Sequence, residues 1–250
     1  MSGRKLFAFT LLLICLSASS IAVSAQTSER AQTPDRAQAA ADIESLREQI
    51  KAKEAVLLAP SQEDRERYAE FLAQPRTGLI RLLPRERWMN KLSTSGDGAY
   101  YSFARLTQEY GYGSDIALEQ DNFSVGFAGA DFGFMVNLGN VPLESISTET
   151  EAARFMTSFQ TPLPEPEARK AHRQFSEGQQ SGQWTYKNRL PVFVNNTYVV
   201  RSVSYNTSDV LVAFRVVRKD FDGSVVLLWK MLKRYSKPML ERSVAASNGQ

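Results

Sequence analysis

The chain has 250 residues, a formal charge of +3, one cysteine and one histidine. Of its 30 Lys and Arg, two (Arg4 and Lys5) lie in the first few positions, and without them 28 basic residues face 27 Asp and Glu. That near-neutral balance gives no electrostatic reason to expect nucleic acid or an anionic membrane as a partner, and a lone His172 with no thiol beyond Cys15 excludes a His- or Cys-rich zinc centre.

Met1–Ala25 has the three parts of a secretory leader: basic Arg4-Lys5, an apolar centre over Leu6–Leu16, and small residues at Val23-Ser24-Ala25 for cleavage. The apolar run is short for a bilayer span, so no transmembrane span is expected in the mature chain. Cys15 raises lipid anchoring, but that chemistry wants a small residue before the cysteine and Ile14 stands there. Cleavage after Ala25 removes the only thiol, which leaves an exported domain held by its core alone. This points to a bacterial envelope, periplasmic or extracellular location. The Asn-x-Ser/Thr triplets at Asn122, Asn195 and Asn206 would be glycan acceptors only in a eukaryotic secretory route.

Residues 26–34 are polar and read as a disordered tether. From Asp35 an apolar stripe through Ala39, Ile43, Leu46, Ile50 and Leu57 predicts a helix that packs on its own domain or pairs with a partner helix over Asp35–Ala59. Pro60 ends it; Ser61 with Asp64 resembles a capping box, opening a second helix to Pro75. Thr77–Leu83 predicts a short strand. Ser93–Leu143 is rich in Gly and aromatics: Gly96-Asp97-Gly98 leads into Tyr100, Tyr101 and Phe103, a loop follows at Tyr110–Asp115, and strands are predicted at Phe123–Phe127 and Phe132–Leu138. Helices are predicted from Thr148 to Phe159 and over about Glu167–Phe175, with Glu177–Gln183 as a flexible link. Thr197–Tyr235 then reads as a three-stranded meander. Its middle strand is apolar at both even and odd positions (Val210, Val212, Phe214, Val216; Leu211, Ala213, Val217), so both of its faces must be covered. Residues 241–250 read as a flexible tail.

The expected fold is therefore α+β, with 35–75 as a helical segment and 76–240 as a globular domain. In it a mostly antiparallel sheet with packed helices ends in the meander. One covering layer is expected from the helices at Thr148–Phe175 and the other from the N-terminal helices.

Few residues offer chemistry. His172 lies among Arg169, Lys170 and Arg173 and reads as a surface residue of a solvated helix. No Gly-x-Ser-x-Gly elbow, phosphate loop or complete dinucleotide pattern occurs, so no cofactor is expected. Asp220-x-Asp222-Gly223 resembles part of a calcium loop but continues as a strand, which favours a hairpin turn; no metal site is expected. Carboxylates near the Gly/aromatic loops (Glu109, Asp115, Glu119, Asp121, Asp131) could act as a glycosidase pair only if two converge across a cleft, with Glu109, Asp115 and Asp131 as catalytic candidates. Tyr110, Tyr112, Ser114 and Asp115 form the sharper lead, since tyrosine presents a flat apolar face with a polar tip to sugars or proteins. Tyr100 and Tyr101, if on a strand, must point to opposite faces. The reading that follows is an exported, non-catalytic module that binds a protein or glycan through this loop. The alternatives are a carboxylate glycan hydrolase and a structural protein that self-associates through Asp35–Ala59.

Overall fold

A computed structural model describes residues 26–111 and 113–241, with side chains from residue 35 onward. The leader with Cys15, Tyr112 and residues 242–250 lie outside the described residues. The fold is α+β, and the described chain divides between Gln49 and Ile50 into two units.

The described residues up to Gln49 belong to α1 (Gln26–Leu58), which is 33 residues long. Residues 26–34, expected as a disordered tether, have helical backbone. The apolar stripe of α1 does not bury itself: Ile43, Leu46 and Ile50 are 49%, 57% and 49% exposed.

The second unit begins with α2 (Gln62–Arg67), α3 (Ala69–Leu72), β1 (Thr77–Leu82), α4 (Arg85–Trp88), β2 (Tyr100–Tyr101), β3 (Ile116–Glu119), β4 (Asn122–Ser124) and β5 (Phe132–Asn137). It continues through α5 (Glu151–Ser158), α6 (Glu165–Glu177), β6 (Gln179–Ser181), β7 (Trp184–Tyr186), β8 (Arg189–Pro191), β9 (Thr197–Ser204), β10 (Ser208–Lys219) and β11 (Val225–Arg234). Ser61 caps α2 as its sequence suggests, accepting from Asp64 N at 3.1 Å.

Five strands form the main antiparallel sheet in the order β1-β11-β10-β9-β5, with the meander β9-β10-β11 at its centre. β10 is covered on both faces. Leu211 and Ala213 join Phe134, Val199 and Leu228 under α5 and α6, which contribute Ala152, Met156, Ala171 and Phe175. Phe134 and Phe175 stack at 3.9 Å with an 8° interplanar angle. Val210, Val212, Phe214 and Val216 enter a second core on the opposite side.

The layer over that second core corrects the sequence reading. A second antiparallel sheet, β2-β3-β4-β8, supplies it through Tyr101, Ile116, Leu118 and Phe123, with Phe103 just beyond β2. Of the N-terminal helices, α3 instead packs Phe71 on the α5/α6 side. The strands of this second sheet are two to four residues long, and their periodicity is too brief to reveal a sheet. Tyr198, Phe214 and Trp229 lie opposite one another across three strands. Phe214 stacks on Tyr198 at 5.1 Å and receives the edge of Phe123 at 5.0 Å, which joins the two sheets.

A further correction concerns Glu177–Gln183. This stretch is not a loose link: Gln179–Ser181 pairs with Trp184–Tyr186 as a hairpin turning at Gly182, whose φ is +58°. The Asp220–Gly223 segment is the expected turn. Its carboxylates are engaged by arginines, Asp222 with Arg81 at 2.8 Å and Asp220 with Arg218 at 2.5 Å.

Arg201 is the main polar group within the fold. It is 2% exposed, yet each of its five N–H donors finds an acceptor. Nε and Nη2 grip both oxygens of Asp209 at 3.0 and 2.9 Å, Nη2 also donates to Thr161 Oγ1, and Nη1 donates to the carbonyls of Met156 and Phe159 at 2.6 Å. The ring of Tyr235 lies 3.9 Å from the guanidinium. Removing one partner of such a buried pair leaves the other charge unmatched, at about 3–5 kcal/mol, whereas replacing both with apolar groups is close to neutral. Arg201→Ala is thus expected to lose about 3–5 kcal/mol in urea unfolding, and Arg201→Met/Asp209→Leu to lose much less.

Candidate functional site

Strand alternation decides which residues of the small sheet are free to act. Tyr101 points into the core between the sheets, so its neighbour Tyr100 points to the other face, where it is itself buried (4% exposed) in a small cluster with Ala99, Ala117 and Phe127. The pairings Tyr100↔Ala117 and Ala117↔Ser124 place these residues on the same outer face. Ser124↔Arg189 brings in a residue 65 positions further along, from β8. Glu119, two residues after Ala117, shares that face.

This outer face floors a cleft of about 650 Å³. Tyr100 and Tyr110 meet at 4.7 Å, and the edge of Phe127 meets Tyr100 at 5.2 Å. Tyr110 is 44% exposed. Gly96 makes the tyrosine pair possible: its φ is +80°, and a Cβ there would fall 2.5 Å from Tyr100 Cδ2 and 2.6 Å from Tyr110 Cβ.

Charged groups of both signs surround the rings. Glu119 accepts from Arg85 Nη1 at 2.5 Å and from the Tyr100 hydroxyl at 3.0 Å. Burial, with the Glu119 charge beside it, pushes the Tyr100 phenol up to about 12. Arg189 Nη2 donates to Gln120 Oε1 at 2.9 Å and to Glu119 O at 3.3 Å. Asp97 accepts the backbone N–H groups of Asn90, Lys91 and Leu92 at 3.1 to 3.2 Å, clamping the loop that brings Asn90 to the rim. Asn188 also lines the cleft.

His172 is half-buried at this cleft rather than on a solvated helix face, because α6 turns it toward the β4–β5 connection. Its Nδ1 lies 3.3 Å from the carbonyl oxygen of Asp131. A carbonyl only accepts, so a neutral ring in this contact carries its proton on Nδ1 and leaves Nε2 as an acceptor.

The residues expected from sequence scatter. Tyr110 lies in the cleft; Tyr112 is outside the described residues. Ser114 is buried and fastens its own loop, accepting from Gly111 N and donating to the Glu109 carbonyl at 3.1 Å. Glu109 is exposed but does not line the cleft. The Asp131 carboxylate accepts from Tyr205 N at 2.8 Å, and burial raises its pKa. The catalytic candidates Glu109, Asp115 and Asp131 therefore do not converge here. No group of three or more His, Cys, Asp or Glu among the described residues could hold a metal. Arg85, Asn90, Phe127, Asn188 and Arg189 carried no sequence signal; the β4–β8 pairing, the Asp97 clamp, the Arg85–Glu119 pair and the Phe127–Tyr100 contact gather them. No protein-family model, curated protein or solved structure matches the chain.

Asp115 is wholly buried and serves the fold. Ser102 Oγ and Ala104 N each donate to its Oδ2 at 3.2 Å. Burial raises its pKa from 3.8 to about 6, more than the hydrogen bonds from Ser202, Ala104, Phe103 and Ser102 pull it down. Because the folded value exceeds the unfolded one, the unfolded chain gives up this proton first as pH rises. Asp115 therefore costs stability between about pH 4 and 6, by at most about 3 kcal/mol once fully ionised. Asp115→Asn is expected to gain on the wild type across that window and hold a constant difference above it. Paired urea titrations at stepped pH check this.

Proposed function

We propose that this protein is an exported, non-catalytic binding module that holds a saccharide in the cleft over Tyr110 and Phe127, which pack against the buried Tyr100. The observation that carries the reading is the exposed Tyr110 ring on an aromatic floor, with donors and acceptors around it. Sugars offer an apolar ring face and a fringe of hydroxyls that both donate and accept, and an aromatic platform with amide, guanidinium and carboxylate neighbours complements both. Arg85 and Arg189 balance Asp97 and Glu119, so the site has no net charge with which to select an anion. Its volume of about 650 Å³ lies within the range of small-molecule sites and favours a glycan over a flat protein surface. Binding is favoured over hydrolysis because the cleft carboxylates are already committed, Asp97 to three N–H groups and Glu119 to Arg85 and Tyr100. Export rests on the leader pattern of Met1–Ala25, and no helix among the described residues is long and apolar enough to cross a membrane.

Calorimetric titration with chitotriose and maltotriose, and with trialanine as a peptide probe, tests the reading. At least one glycan is expected to bind, and Tyr110→Ala to weaken it about tenfold, the scale of one aromatic contact, with the melting temperature unchanged. Binding of the peptide alone, release of new reducing ends from a glycan, or loss of stability in Tyr110→Ala would each overturn it.

A further inference from the structure

Independently of the cleft, α1 carries a surface whose pattern specifies its own partner. Ala39, Ile43, Leu46, Ile50 and Lys53 are spaced by alternating steps of four and three residues, a mean of 3.5 that holds one seam toward a neighbouring helix. In heptad letters, Ile43 and Ile50 are a positions, while Ala39, Leu46 and Lys53 are d positions. The three large apolar members stand half open to solvent.

We propose that this seam pairs with the same seam of a second copy of the chain, as a parallel two-stranded coiled coil over Ala39–Lys53. Two observations set the occupant and its direction. Within a parallel coiled coil, β-branched residues at a (Ile43 and Ile50) with leucine at d (Leu46) favour two strands. The flanking charges agree: in a parallel pair each g residue faces the e residue of the partner's next heptad, so Asp42 meets the partner's Arg47, twice by symmetry. An antiparallel pair would set g against g and e against e, with Asp42 facing Gln49 and Arg47 facing Ala40 or another Arg47, and no opposite charges would meet. In the single chain Arg47 reaches Glu44 at 2.6 Å, but both side chains are more than two-thirds exposed, and such a pair yields readily to a better one. Arg36 and Lys53 interrupt the apolar seam at its two ends, so about two heptads carry the contact and the pair comes apart on dilution.

The chain's only cysteine is Cys15, which allows a direct test in a Cys15→Ser background. In a parallel pair a faces a, so Ile43→Cys is expected to form a disulfide dimer under mild oxidation while Glu48→Cys, on the opposite face, does not. Sedimentation of the unmodified chain over about a hundredfold range of concentration is expected to show monomer converting to dimer, and Ile43→Asp/Ile50→Asp to remain monomeric with an unchanged circular dichroism spectrum. Asp42→Arg is expected to weaken association at least about tenfold and Asp42→Arg/Arg47→Asp to restore it. A monomer throughout the range, a dimer that survives Ile43→Asp/Ile50→Asp, or a crosslink that forms only when Ile43→Cys is mixed with Leu46→Cys overturns the proposal.

Discussion

The structure depends on a strand that cannot tolerate water on either face. β10 carries apolar side chains at consecutive positions from Val210 to Phe214, all buried, and a strand of that kind requires a layer on each side. The helices α5 and α6 answer one face and the small sheet the other. The stacked Tyr198–Phe214 pair, with Phe123 at its edge, joins the two sheets, and all three rings are fully buried. Arg201 adds a directional constraint: a guanidinium with five protein acceptors fixes β9, β10 and the end of α5 in one arrangement, where apolar packing alone would permit sliding.

The cleft follows from the same requirement. The small sheet exists to cover β10, and period-two alternation leaves its other face with Tyr100, Glu119, Ser124 and Arg189. Those residues do not support the core between the sheets, so the outer face can take chemistry while the inner face stays fixed. Gly96 shows how closely this face is built, because the tyrosine pair occupies the space that any Cβ there would need. α1 offers a separate surface, through which two chains would each bring a cleft to one assembly and gain avidity for a repeating ligand.

What could be read from the sequence divides along physical lines. The meander was legible because β9, β10 and β11 are eight to twelve residues long and carry strong periodicity. The turn at Gly223 was legible from local chemistry. The small sheet was not, since a two-residue strand such as Tyr100-Tyr101 has no period to detect. Arg201 shares its face of β9 with the core residues Val199 and Val203, and only its partner Asp209 and the carbonyls of a distant helix explain how a charge is held there. In the cleft, Tyr110 is exposed, as the Gly-Tyr loop pattern suggests. Ser114 and Asp115 share that signal but are spent on fastening the loop from within. His172 looked solvated from its charged neighbours, although helical periodicity also placed it one residue after the buried Ala171 and three before Phe175. Arg189 reaches Ser124 only through strand pairing, which no local pattern encodes.

The outer face of the small sheet is the ligand site we propose. Amide chemical-shift mapping during titration with chitotriose or maltotriose tests it most directly. Saturable shifts are expected, concentrated at Gly96, Tyr100, Tyr110, Glu119, Phe127 and Arg189, with little change in β9 to β11. Saturable shifts centred elsewhere on the molecule, or none with either glycan, would contradict it.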